Sequence, residues 1–156
     1  MNKSEKEFFN MFTDIVKSDR ESDMFGHYDF IISNKVKVDV KGAKKINRSD
    51  AEENHNIHYV EFRNVRGDKG WVYGEADYIA FEYYDTFLLV KREKIIELCK
   101  KKIINKIINN HKEMYELYRR QGRQDLITLV ATKDLLQIST RILNKNQIYE
   151  SSKRKI

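Results

Sequence analysis

The sequence predicts one α+β domain, and three features carry that expectation. An amphipathic helical period opens the chain, short alternating and wholly apolar runs fill its middle, and a long helical pattern interrupts the run of strands. At 156 residues one domain is the economical reading, with roughly two thirds of the unfolded chain's surface buried. The 40% hydrophobic and 12% aromatic content supplies a core and argues against wholesale disorder.

Ser4 to about Lys17 reads as a helix with Phe8, Phe9, Phe12, Ile15 and Val16 on one side. The Ser4–Glu7 spacing marks its start as a capping box. A polar connection leads to an apolar strand in "HYDFIIS" and then to "KVKVDVK", where Val36, Val38 and Val40 alternate with charged residues. The stretch "NRSDAEENHN" is a polar loop, and "IHYVEFRNV" is a further strand before the turn "RGDKG". "ADYIAFEYY" and "FLLVKR" are apolar on both faces, like inner strands. Arg92 to about Tyr118 carries a helical pattern, "DLITLVA" a last strand, and "KDLLQIS" a short helix. The single domain is expected to occupy 1–150, with the basic tail 151–156 frayed.

The charge is +6, from 30 basic and 24 acidic residues, which suits a polyanionic partner without requiring one. No run of about 18 apolar residues is present, so no membrane span is expected. The first residues lack a secretory pattern, and one cysteine, Cys99, excludes an internal disulfide; together these point to the cytoplasm. The richness in Lys, Asn and Ile without proline hints at an AT-rich coding genome. His27, His55, His58 and His111 lack zinc spacing, no Gly-rich phosphate loop occurs, and Cys99 sits among helix apolars as packing.

A three-residue loop, Ser33-Asn34-Lys35, places Ile32 opposite Val36, Phe30 opposite Val38 and Tyr28 opposite Val40. The same register sets Asp29 opposite Asp39, with Cβ atoms about 5 Å apart. Two facing carboxylates repel unless a cation sits between them, and hard oxygen ligands suit Mg²⁺ or Mn²⁺. Lys41, two residues along the same face, is placed to hold an attacking water or to neutralise charge on a phosphate. A two-residue loop would turn Asp29 away.

Asp29, a nine-residue gap and Asp39-Val40-Lys41 on a strand resemble the signature of the PD-(D/E)xK nuclease superfamily. The preceding helix and hairpin fit its restriction-endonuclease-like α-β-β-β-α-β core, a mixed central sheet flanked by helices. "GWVYGEADYIAFE" followed by "FLLV" resembles its small phage-type endonucleases; the likeness spans about residues 4 to 135. Tyr28 stands where the pattern often has a dispensable proline. The resemblance implies a metal-dependent DNA endonuclease encoded by a phage or mobile element, and it suggests branched DNA as substrate in the manner of a Holliday-junction resolvase, with nicking and restriction-like roles left open. It implies Asp29 and Asp39 as metal ligands, the Val40 carbonyl as a third, and Lys41 as the catalytic lysine. Related resolvases add a first-helix glutamate, here Glu5 or Glu7, and sometimes a third-strand acid, here Glu61. Two active sites cutting opposite strands would favour a homodimer.

Lys44, Lys45 and Arg48 follow Gly42 and are candidates to grip phosphates, with Arg63, Arg66, Lys69 and Lys100 to Lys102 expected as solvated surface. Asp77 and Lys91 imitate the motif, but position 89 is Leu, so Asp77 is expected to be structural. Trp71 is expected as a core or loop anchor ahead of a base-stacking role. Two other classes stay open: a non-catalytic nucleic-acid-binding module of the same fold, and a protein-interaction domain.

Overall fold

A computed structural model describes residues 1–108 and 113–150; the tail 151–156 expected to fray lies outside the described residues. Helix α1 (Lys3–Phe9) starts on a capping box two residues earlier than the Ser4–Glu7 spacing predicts. Asn2 Oδ1 accepts from the Glu5 N–H at 2.9 Å, and Glu5 Oε2 accepts from the Asn2 N–H at 2.9 Å. The helix ends at Phe9 rather than near Lys17. Ile15 and Val16, β-branched neighbours, instead form β1 (Ile15–Lys17). A π-helical turn over Ser22–Gly26 follows, closed by His27 in the left-handed region at φ 56°.

Strands β2 (Phe30–Ile32) and β3 (Val36–Lys41) form the expected hairpin. Ser33 and Asn34 take positive φ, and the register is Ile32 on Val36, Ile31 on Lys37 and Phe30 on Val38. That is the alignment a three-residue loop dictates. Tyr28 does not extend the ladder to Val40. The chain turns at His27, and Tyr28 packs on the opposite apolar layer from Phe30.

The next strand, β4 (Ile57–Arg63), does not join this hairpin. The free edge of β3 is taken in parallel by β5 (Tyr78–Tyr83), with Asp39 on Ile79 and Lys41 on Phe81. The almost wholly buried β5 and its antiparallel partner β6 (Thr86–Lys91) need covered faces on both sides, so they take the sheet's centre. Helix α2 (Arg92–Lys102) stops short of the predicted Tyr118. The isoleucine-rich segment beyond it becomes β7 (Ile104–Ile108), parallel to β8 (Glu116–Tyr118). Then come β9 (Leu126–Ala131), α3 (Thr132–Ile138) and β10 (Arg141–Asn144).

Among the described residues two sheets result: six strands in the order β1-β2-β3-β5-β6-β10, and four in the order β4-β9-β8-β7. The architecture is mixed α+β. One face of the larger sheet buries Phe30, Val38, Ala80 and Leu89 against Phe8, Met11 and Phe12 of α1 and the residues after it. Its other face buries Ile79, Phe81, Leu88 and Val90 against α2, α3 and the smaller sheet's Val60 and Val130.

Gly42 sets how closely α1 approaches the end of β3. A Cβ there would collide with the Ser4 side chain and come within 3.5 Å of Glu82 Oε1. Gly42→Ala is therefore expected to destabilise the chain by about 1–3 kcal/mol through overpacking. Urea unfolding should show this loss, with Ser4→Gly recovering part of it.

Candidate metal centre

Asp29 and Asp39 are buried, at 4% and 3% exposure, and both line one cleft of about 220 Å³ with Val40, Lys41 and Glu5. They adjoin the last paired residues of the hairpin, Phe30 on Val38, and meet just beyond the ladder. Asp29 is held as the chain leaves the ladder: its N–H donates to Val38 O at 2.9 Å, and its own carbonyl accepts from the Ser18 N–H at 2.8 Å. Asp29 Oδ2 accepts from the Val40 N–H at 2.7 Å. Burial, then the charge of Asp39 and a proton shared with it, push the Asp29 carboxyl up to about 8. The Val40 N–H opposes this and Glu5 adds to it.

Lys41 Nζ lies 3.1 Å from Asp39 Oδ2 and 5.0 Å from the centre of the Trp71 ring. Asp39 Oδ2 is buried and makes this ion pair, with no hydrogen bond to it among the described residues. The two adjoining carboxyls, whose negative charges oppose each other, form a donor set suited to a hard divalent cation. Mg²⁺ typically takes only one or two carboxylates, completing its shell with water and phosphate. Among the described residues no group of three or more His, Cys, Asp or Glu converges as a ligand set, so the centre rests on this pair.

The accessory acids divide. Glu5 reaches the cleft rim but is engaged in the helix cap. Glu7 is drawn away: Lys145 Nζ bridges it at 2.9 Å to Glu82 at 2.6 Å, tying α1 to β5. Glu61 faces an adjoining cavity, not the carboxylate cleft, and burial raises its pKa. Asp77 accepts from the Lys37 N–H at 2.9 Å and its own N–H donates to Lys37 O at 2.8 Å. It anchors β5 to β3, as its lack of a partner acid predicts.

Of the candidate phosphate contacts, Lys44 lines the cleft. Lys44 is exposed at the cleft's edge, and desolvation there, with the charge of Lys41, pushes its pKa down. Lys45 and Arg48 are exposed on the loop beyond it. Trp71 is buried in the core, as expected of an anchor.

The adjoining cavity, about 380 Å³, lies between the two sheets and shares His27, Lys41, Gly42 and Lys44 with the cleft. Arg120 and His58 line it, and neither was singled out from the sequence as a site residue. Arg120 Nε pairs with the buried Asp125 at 2.6 Å. His58 Nε2–H donates to Glu82 O at 2.8 Å, and burial lowers its pKa to about 4, so it is neutral. No local spacing could have found Arg120, because the β8–β9 connection delivers it from far along the chain.

No family model, curated protein or solved structure matches this chain. No helix among the described residues is long and apolar enough to cross a membrane.

Proposed function

We propose that the chain is a metal-dependent endonuclease that hydrolyses DNA phosphodiesters, of the PD-(D/E)xK type its Asp29…Asp39-Val40-Lys41 pattern resembles. One observation carries the reading: Asp29 and Asp39 open into the same cleft, with Lys41 Nζ 3.1 Å from Asp39. Asp29, Asp39 and the Val40 carbonyl would hold Mg²⁺ or Mn²⁺. When bound, that ion supplies a water of lowered pKa and charge neutralisation at the phosphate.

The remaining chemistry belongs to the chain. Asp39 holds the Lys41 ammonium at the cleft, where its fixed positive charge stabilises the phosphorane-like charge that builds during hydrolysis. The Val40 N–H fixes the orientation of Asp29. Lys44 draws the phosphate backbone toward the cleft, with Lys45 and Arg48 extending the basic approach. A homodimer would place two such clefts on opposite strands.

The test is cleavage of labelled linear, single-stranded and four-way DNA with Mg²⁺ or EDTA. The reading expects cutting with Mg²⁺ or Mn²⁺ and none with EDTA. Binding without cutting in either metal points instead to a recognition module, and no binding at low salt points to a protein partner.

A further inference from the structure

We propose that the cavity between the two sheets receives one unpaired nucleotide beside the phosphodiester held at the carboxylate cleft. The substrate is then DNA carrying unpaired nucleotides, in preference to uninterrupted duplex. The position of the phosphodiester rests on the nuclease reading above; the cavity's occupant is argued from the cavity itself.

Location comes first. Lys41 and Lys44 line both spaces, so a strand whose phosphate sits at Asp29 and Asp39 has its neighbouring nucleotide at the cavity mouth. Size comes second: about 380 Å³ falls within the roughly 300–1,000 Å³ of small-molecule sites. A paired base is locked in its stack and reaches such a space only when it is extruded or was never paired.

Chemistry comes third. Trp71 and Ile127 give the cavity apolar walls for a base, while Lys44 and Arg120 supply positive charge for its phosphate. Arg120 is 44% exposed, and its pairing with Asp125 runs through Nε, leaving the guanidinium with further donors. Glu61 offers a carboxyl of the type that accepts from an exocyclic amino group. This combination of apolar wall, cations and one acceptor suits a nucleotide better than a purely apolar ligand.

Trp71 is the only tryptophan in the chain, so its fluorescence reads the cavity directly. The full chain would be titrated in EDTA with three oligonucleotides of one length: single-stranded, fully paired, and paired with one unpaired nucleotide. The single-stranded and bulged DNA should change the Trp71 emission saturably and bind at least about tenfold more tightly than the duplex, the effect of one well-held base. Ile127→Phe, which fills the cavity, should abolish both the signal and the preference; Lys44→Ala, at an exposed position, should weaken binding with the fold intact.

Equal affinity for all three DNAs, or a Trp71 signal as large with duplex, overturns the proposal. Parallel cleavage assays with Mg²⁺ separate the two readings. Metal-dependent cutting without any Trp71 response or preference overturns the cavity's role and leaves the nuclease. A selective Trp71 response without cutting supports the cavity and overturns the nuclease.

Discussion

Asp39→Ala is expected to reduce Mg²⁺-dependent cleavage by at least about a thousandfold, about 4 kcal/mol of barrier. Two losses combine in that figure. One of two buried carboxylates that would bind the ion is gone, and the partner that holds Lys41 Nζ at 3.1 Å goes with it. Lys41→Ala should also lose cleavage while keeping metal binding, which separates the two contributions. Asp77→Asn is the matched control. Its carboxylate serves the Lys37 N–H, so it should lose about 1 kcal/mol of stability and keep its cleavage rate.

Metal-free protein is expected to be destabilised by Asp29 as pH rises. Folded, the Asp29 carboxyl keeps its proton up to about 8; its ordinary value is 3.8. Between those values the folded chain binds more protons than the unfolded one. The contribution of Asp29 is therefore fully favourable below 3.8 and is lost as pH climbs through about 8. The loss is on the order of 6 kcal/mol. His58 works in the opposite sense. It is buried and neutral with a pKa near 4 against an ordinary 6.5, so its contribution is lost as pH falls through that window. Urea unfolding of wild type and Asp29→Asn in EDTA from pH 4 to 9 isolates the Asp29 part as the difference between the two curves. Wild type should be the less stable of the two at pH 8, and millimolar Mg²⁺ should restore wild type but not the variant. Asp29→Asn less stable than wild type at every pH would contradict the repelling-pair account.

The first hairpin was legible because its determinants are local. Three valines at alternate positions and a three-residue loop permit one alignment, and Asp29 and Asp39 adjoin its last pair, Phe30 on Val38, although the ladder itself ends there. The helix start was read two residues late because Ser4 and Glu7 satisfy the same spacing rule as Asn2 and Glu5, and only packing chooses between them. Ile15 and Val16 fit a helical stripe as well as they fit a strand, and pairing with β2 decided in favour of the strand. The same competition ended α2 at Lys102, where Ile104, Ile107 and Ile108 pair with β8. The second sheet was beyond sequence reasoning, since β4 pairs with β9 from Ile57 on Ala131 to Arg63 on Leu126, far apart along the chain. With it went the cavity, whose far wall that sheet builds.

The most direct test of the central claim is a calorimetric titration of the metal-free chain with Mn²⁺ near pH 7.5. Wild type should bind one ion per chain, releasing protons as Asp29 ionises, and Asp29→Asn and Asp39→Asn should each abolish that binding. Absence of Mn²⁺ binding at millimolar concentration, or binding left intact in both variants, would contradict the account.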